Sequence, residues 1–172
     1  MSYVPSHAGG LLGQPESLVF IPMTQSTSQT PAVDTAINLD AAQVQFGSWS
    51  VSIASDIITL PSGYYYFVEA CAQAYYTGSA GGSDYLTTQI YDETNTQYIG
   101  VKGSCWRSSG EDTQLESRDE KCRAFINCTS SGITISIKTQ AKSAAMNRVN
   151  YSADIFTDTS GSGRVVIWRL DP

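Results

Sequence analysis

The chain is short of charge, and of positive charge above all. Of its 172 residues 15% are charged, with 10 Lys and Arg against 16 Asp and Glu, a single His, and a net charge of −6. No Lys or Arg precedes Lys102, although eight acidic side chains do. A surface that grips nucleic acid or anionic lipid needs several basic residues along its contact, so neither partner is expected. Long apolar runs are also missing. The longest near the start is Leu18-Val19-Phe20-Ile21, far too short to cross a bilayer. Residues 1–13 have no basic stretch leading into an apolar one, so no secretory signal is expected, and the chain is expected to fold in a reducing cytoplasm.

What replaces charge is hydroxyl. The 23 Ser and 16 Thr outnumber the charged residues, a composition suited to strands rather than helices. From about residue 45 the chain reads as short strands between turns. Val44–Ile53 alternates, Ile57–Leu60 is a short apolar strand, and Pro61-Ser62-Gly63 is a turn. Tyr64–Ala74 has an apolar even face (Tyr64, Tyr66, Val68, Ala70, Ala72, Ala74) and a mixed odd one. Residues 85–91 and 97–101 read as a hairpin. Residues 121–128 turn Cys122, Ala124, Ile126 and Cys128 one way and Lys121, Arg123 and Asn127 the other, and 133–138 is the cleanest alternation of all. The last strand, Arg164–Leu170, is apolar on both faces apart from its arginines, which points to burial on both sides, as at an oligomer axis. Residues 143–146 have room for one helical turn.

Residues 1–44 differ. They hold four of the six prolines (Pro5, Pro15, Pro22, Pro31), a Gly9-Gly10 pair and two apolar knots, Leu11-Leu12 and 18–23. Proline suits neither a central strand nor a helix interior, and a disordered tail lacks such knots. The favoured reading is an extended arm packed on other chains through Leu11, Leu12, Leu18, Val19, Phe20 and Ile21; the other is an edge strand of its own domain. The expected division is an arm over 1–44 and one β domain over 45–172.

The run Ile57-Ile58-Thr59-Leu60-Pro61-Ser62-Gly63-Tyr64-Tyr65-Tyr66 with Glu69-Ala70, the stretch Leu86–Asp92 and the closing Val165–Leu170 resemble small jelly-roll domains of tailed-phage virion proteins. These are similar to tumour necrosis factor-like and complement globular head-like domains. The resemblance implies an all-β antiparallel jelly-roll sandwich, here of about eight strands, assembled as a homotrimer. It also implies a virion component with no catalytic set and no cofactor. The residues expected along the three-fold axis are Phe67, Val165, Ile167, Trp168 and Leu170. The arm has no counterpart in those domains, and no heptad or collagen-like stalk is present. The expectation is therefore a capsid decoration (cement) protein on the virion surface, made in the host cytoplasm. Its partners would be the major capsid protein and neighbouring decoration subunits. The alternative is a receptor- or glycan-binding head of a tail or head fibre.

Chemistry for catalysis or metal binding is sparse. His7 stands alone in the arm, and there is no GxSxG elbow, P-loop or HExxH. The cysteines Cys71, Cys105, Cys122 and Cys128 lack paired knuckle spacing, so no metal is expected. Buried thiols are the favoured state, and a single disulfide, if formed, would join Cys105 to Cys122. The loop holding Glu111, Asp112, Glu116, Asp119 and Glu120 reads as a solvated charged loop, with Glu111 or Asp112 the first suspects for any glycosidase activity. Tyr64, Tyr65, Tyr66, Tyr75, Tyr76, Tyr85 and Trp106 suit packing and subunit contact better than sugar stacking. Two glycosylation sequons, at Asn127 and Asn150, are taken as chance matches.

Overall fold

The computed structural model describes residues 15–23, 32–72, 74–76, 84–107, 121–143, 146–149 and 163–172. His7, Leu11, Leu12, Glu111, Asp112 and Asn150 lie outside the described residues, as does the glycine-rich loop after Tyr76. The described chain is all-β. Its strands are β1 (Pro15–Pro22), β2 (Gln43–Phe46), β3 (Ser52–Ala54), β4 (Ile57–Leu60), β5 (Tyr64–Cys71), β6 (Ala74–Tyr76), β7 (Asp84–Asp92), β8 (Gln97–Arg107), β9 (Cys122–Cys128), β10 (Ile133–Lys142), β11 (Met146–Val149) and β12 (Arg164–Leu170). Of the residues with room for a helical turn, Met146 begins β11.

Ten strands make one curled antiparallel sheet in the order β2-β1-β12-β5-β9-β8-β7-β10-β4-β3, while β6 and β11 pair separately. The sheet has two five-strand halves, β2-β1-β12-β5-β9 and β8-β7-β10-β4-β3, joined by one residue pair, Val101 with Arg123. Gly100 makes that join possible. Its φ is +71°, and any side chain there would collide with the Arg123 carbonyl.

Strand alternation decides what each half turns inward. Val19 and Ile21 of β1, Val165 and Ile167 of β12, Tyr66 and Val68 of β5, and Cys122, Ala124, Ile126 and Cys128 of β9 come from the first half. They share one core with Ile58 and Leu60 of β4, Leu86 and Ile90 of β7, and Ile135 and Ile137 of β10. The segment 32–40 closes one end of this core. Ile37 N donates to Ile137 O at 2.8 Å, Asp40 N to Pro22 O at 2.9 Å, and Leu39 N to the Asp56 carboxylate at 2.8 Å.

The extended arm is corrected by β1. Residues 15–23 and 32–44, placed in the arm by composition, are built into the sheet and its core. β1 is hydrogen-bonded on both sides, to β12 from Pro15↔Leu170 to Pro22↔Arg164 and to β2 through Leu18↔Phe46 and Val19↔Val44. It is not an edge strand either, since β2 takes the edge. Proline is tolerated because Pro15 and Pro22 stand at its two ends, where a missing N–H breaks no central ladder. The pairing of Cys105 with Cys122 is also corrected. Cys122 is a buried free thiol whose Sγ donates to the Ala70 carbonyl at 3.4 Å, and burial pushes its pKa up to about 12.

Candidate functional site

With one phase of each first-half strand committed to the core, the other phase faces outward and should be polar in a self-sufficient domain. Much of it is apolar. In register across five strands run Phe46 of β2, Leu18 of β1, Trp168 of β12, Phe67 of β5 and Phe125 of β9. The next row along the strands is Gln43, Phe20, Val166, Glu69, Arg123 and Val101. On the other side of the aromatic row Leu170 stands beside Tyr65 and Asn127.

The rows are packed sideways. Phe67 and Trp168 have ring centroids 5.4 Å apart, and Tyr65 stacks on Phe125 at 5.5 Å with planes 23° apart. Yet Phe46, Phe125 and Val101 keep 58%, 51% and 60% of their surface exposed. Five strands about 4.8 Å apart and three rows about 6.8 Å apart span a plan area of about 500 Å². That area includes Gln43, Glu69, Arg123 and Asn127, and an apolar patch of a few hundred Å² on a monomer is often functional.

One polar cluster sits within it. The Glu69 carboxylate, 13% exposed, accepts from Lys121 Nζ at 2.6 Å and from Arg123 Nε at 2.8 Å. Burial alone would raise the pKa of Glu69. The hydrogen bonds and charges of Lys121 and Arg123 outweigh it, and the carboxyl is held below its ordinary value.

The residues expected at the three-fold axis therefore divide. Val165 and Ile167 are wholly buried in the chain's own core, whereas Phe67, Trp168 and Leu170 lie half-buried on the outward face. The neighbour-contact residues divide by the same parity. Val19 and Ile21 are spent on the core, and Leu18 and Phe20 face outward. Phe46, Val101, Phe125 and the Glu69 cluster were missed. The signal for one of them was present, because Phe125 is an aromatic residue on the otherwise polar phase of β9.

The arginines that interrupt β12 do different things. Arg164 is exposed, but Arg169 points inward and plugs the end of the core. Its Nη2 lies 2.7 Å from Glu16 Oε2, and its guanidinium sits 4.3 Å from the Tyr64 ring centre and 5.2 Å from that of Trp49.

No family model matches this chain, and no curated protein does. The geometry has to speak for itself. Among the described residues no three of His, Cys, Asp and Glu are grouped as metal ligands would be. The three residues of the tyrosine run are held in three different ways. Tyr66 is buried with its hydroxyl donating to Pro61 O at 3.0 Å, Tyr64 is held against Arg169, and Tyr65 stacks on Phe125. The side chains of Tyr75, Tyr76, Cys105 and Trp106 lie outside the described residues.

The outward face of the second half is of another kind. Tyr98, Tyr91 and Ser136 stand in register there. Lys138 Nζ lies 3.5 Å above the Tyr91 ring and 2.8 Å from Glu93, which also accepts from Ser136 Oγ at 2.7 Å. Tyr98 donates to Asp34 and sits edge-on to Tyr91. Burial, then the bond to Asp34, raises the Tyr98 pKa.

Proposed function

We propose that this chain is a structural protein of a phage particle, a homotrimeric jelly-roll subunit that decorates the capsid. The observation that carries the reading is the apolar face on β2-β1-β12-β5-β9, with Trp168 at its centre. A fold complete within one chain has no use for a row of outward Phe, Leu and Trp side chains, and burying them between copies removes them from water at about 25 cal/mol per Å². The jelly-roll part of the reading rests on the all-β antiparallel architecture and on two halves of one curled sheet that share a core. The virion assignment rests on the likeness of 57–70, 86–92 and 165–170 to phage jelly-roll domains.

With β1 inside the domain, the part left to reach the major capsid protein or neighbouring decoration subunits is residues 1–14, which include Leu11 and Leu12. Deleting 1–40 would remove β1 and open the core, so the informative truncation is shorter. A chain lacking residues 1–13 is expected to remain trimeric and to lose shell occupancy in a capsid-binding assay. Full occupancy by that chain rejects the cement role. Native mass measurement of the whole chain is expected to give a trimer, and a monomer at every concentration rejects the assembly. Copy number separates decoration, at hundreds per particle, from the fibre-head alternative, at a handful.

A further inference from the structure

The Glu69 cluster is a charged feature inside the apolar face, and it is unbalanced. One carboxylate faces Lys121, just before β9, and Arg123 of β9, with Cys71 next on its own strand, and Val166 opposite and the exposed Arg164 diagonal on β12. A face meant only to be sticky would carry none of these groups, since covering a charge costs more than covering a methyl group. Glu69 already spends its acceptors on the two cations. Arg123 does not spend its donors. Its side chain is 50% exposed, and among the described residues only its Nε–H is paired, which leaves four N–H groups pointing outward in a fixed fork. When another molecule covers this face those four must find acceptors, or the contact carries a heavy penalty.

The same face ends in a row of backbone N–H and C=O groups. β2 is the edge of the sheet, all four of its residues are exposed, and among the described residues one side of its backbone has no neighbouring strand, so its outward carbonyls are open to a donor. Its sequence, Gln43-Val44-Gln45-Phe46, adds two side-chain amides and no charge. β12 lies in the middle of the face, with the wing β2-β1, whose one charge Glu16 is paired with Arg169, on one side and the charged wing β5-β9 on the other. Copies closing into a ring make head-to-tail contacts, so each joins one wing to the opposite wing of its neighbour.

We infer that Arg123, braced by Glu69, is the register-setting contact between copies, and that its free guanidinium N–H groups take the edge carbonyls and glutamine amides of the neighbouring copy's β2. Glu69 and Lys121 act as positioning residues, fixing the fork and cancelling part of its charge. This inference rests on the proposed self-assembly. Apolar side chains supply the attraction, and the arginine makes one alignment better than its neighbours, as a single buried polar group does in other assemblies.

The test is a dilution series of the full chain by native mass and sedimentation, comparing wild type with three variants. Arg123→Gln is expected to weaken trimer association about tenfold or more with the melting of the dissociated chain unchanged. Arg123→Lys keeps the charge without the fork and is expected to restore less than half of that loss. Replacing Glu69, Lys121 and Arg123 together by Leu is expected to give tight association with mixed stoichiometry. Full rescue by Arg123→Lys, or a clean wild-type trimer from the triple variant, overturns the inference and leaves the assembly standing. A monomeric wild type overturns both.

Discussion

The outer face of β2-β1-β12-β5-β9 and that of β8-β7-β10-β4-β3 are built on the same pleat and back onto the same core, yet they treat water in opposite ways. On the second half the outward positions are Thr59, Thr134, Ser136, Lys138, Tyr91 and Tyr98, and the charges among them are consumed locally, Lys138 by Glu93 and the Tyr91 ring. On the first half the outward positions include Leu18, Phe20, Tyr65, Phe67, Phe125, Val166, Trp168 and Leu170, beside the polar Gln43, Glu69, Arg123, Asn127 and Arg164. The second face shows the same pleat carrying hydroxyls and locally paired charges, so the apolar content of the first face belongs to its own strands and not to the pleat.

That contrast can be broken or sharpened by substitution. The largest effect is expected at Ile167, where the halves share their core: Ile167→Ala should cost about 2–5 kcal/mol in chemical denaturation, whatever the assembly state. Gly100→Ala strikes the one pair that joins the halves and should cost about 1–3 kcal/mol, read in the same experiment. Phe125→Asp on the first face should abolish association in sedimentation while moving the stability of the dissociated chain by less than about 0.5 kcal/mol, because half of that ring is already in water. Lys138→Ala on the second face should do the reverse, lowering stability by about 0.5–1 kcal/mol with association unchanged.

The smallest effects are those of pH and thiol chemistry. The carboxyls of Glu69 and Glu93 are both held below the ordinary value of 4.5. Each therefore contributes stability that is fully present above that value and is lost as pH falls through its own lower one. Acid titration should leave stability flat from neutrality down to that value. Below it, Glu69→Gln and Glu93→Gln should each remove part of the pH dependence of chemical denaturation. A thiol reagent at neutral pH should modify Cys122 only after unfolding, since burial keeps it protonated.

Much of this was legible in the chain and some was not, for one physical reason. Where only one phase of a strand is apolar, alternation names the buried face outright. Cys122, Ala124, Ile126 and Cys128 of β9 follow that rule, and so do Tyr66, Val68 and Ala70 of β5. Where both phases are apolar, as in β1 and β12, no local pattern says which goes inward. That choice is made by a partner strand far away in sequence, so Val165 and Ile167 could not be told apart from Val166 and Trp168. Prolines made 15–22 look unlike a strand, although they stand only at its ends. Arg169 looked like an exposed interruption because its partners, Glu16, Trp49 and Tyr64, are brought together only by the finished sheet. Nothing local marks β6 and β11 as a pair.

The place of β12 also sets a timetable. It is the last-made of the twelve strands, yet it lies between β1 and β5, paired with both along its whole length. During synthesis β7, β8 and β10 can zip to their neighbours while the ribosome is still at work, but β1 has to wait some 140 residues for its main partner. Until residue 170 emerges, the apolar sides of β1 and β5 stay open to whatever else is nearby. The nascent protein is most adhesive just before β12 arrives, and the pairing of β12 with β1 and β5 is the event that closes it.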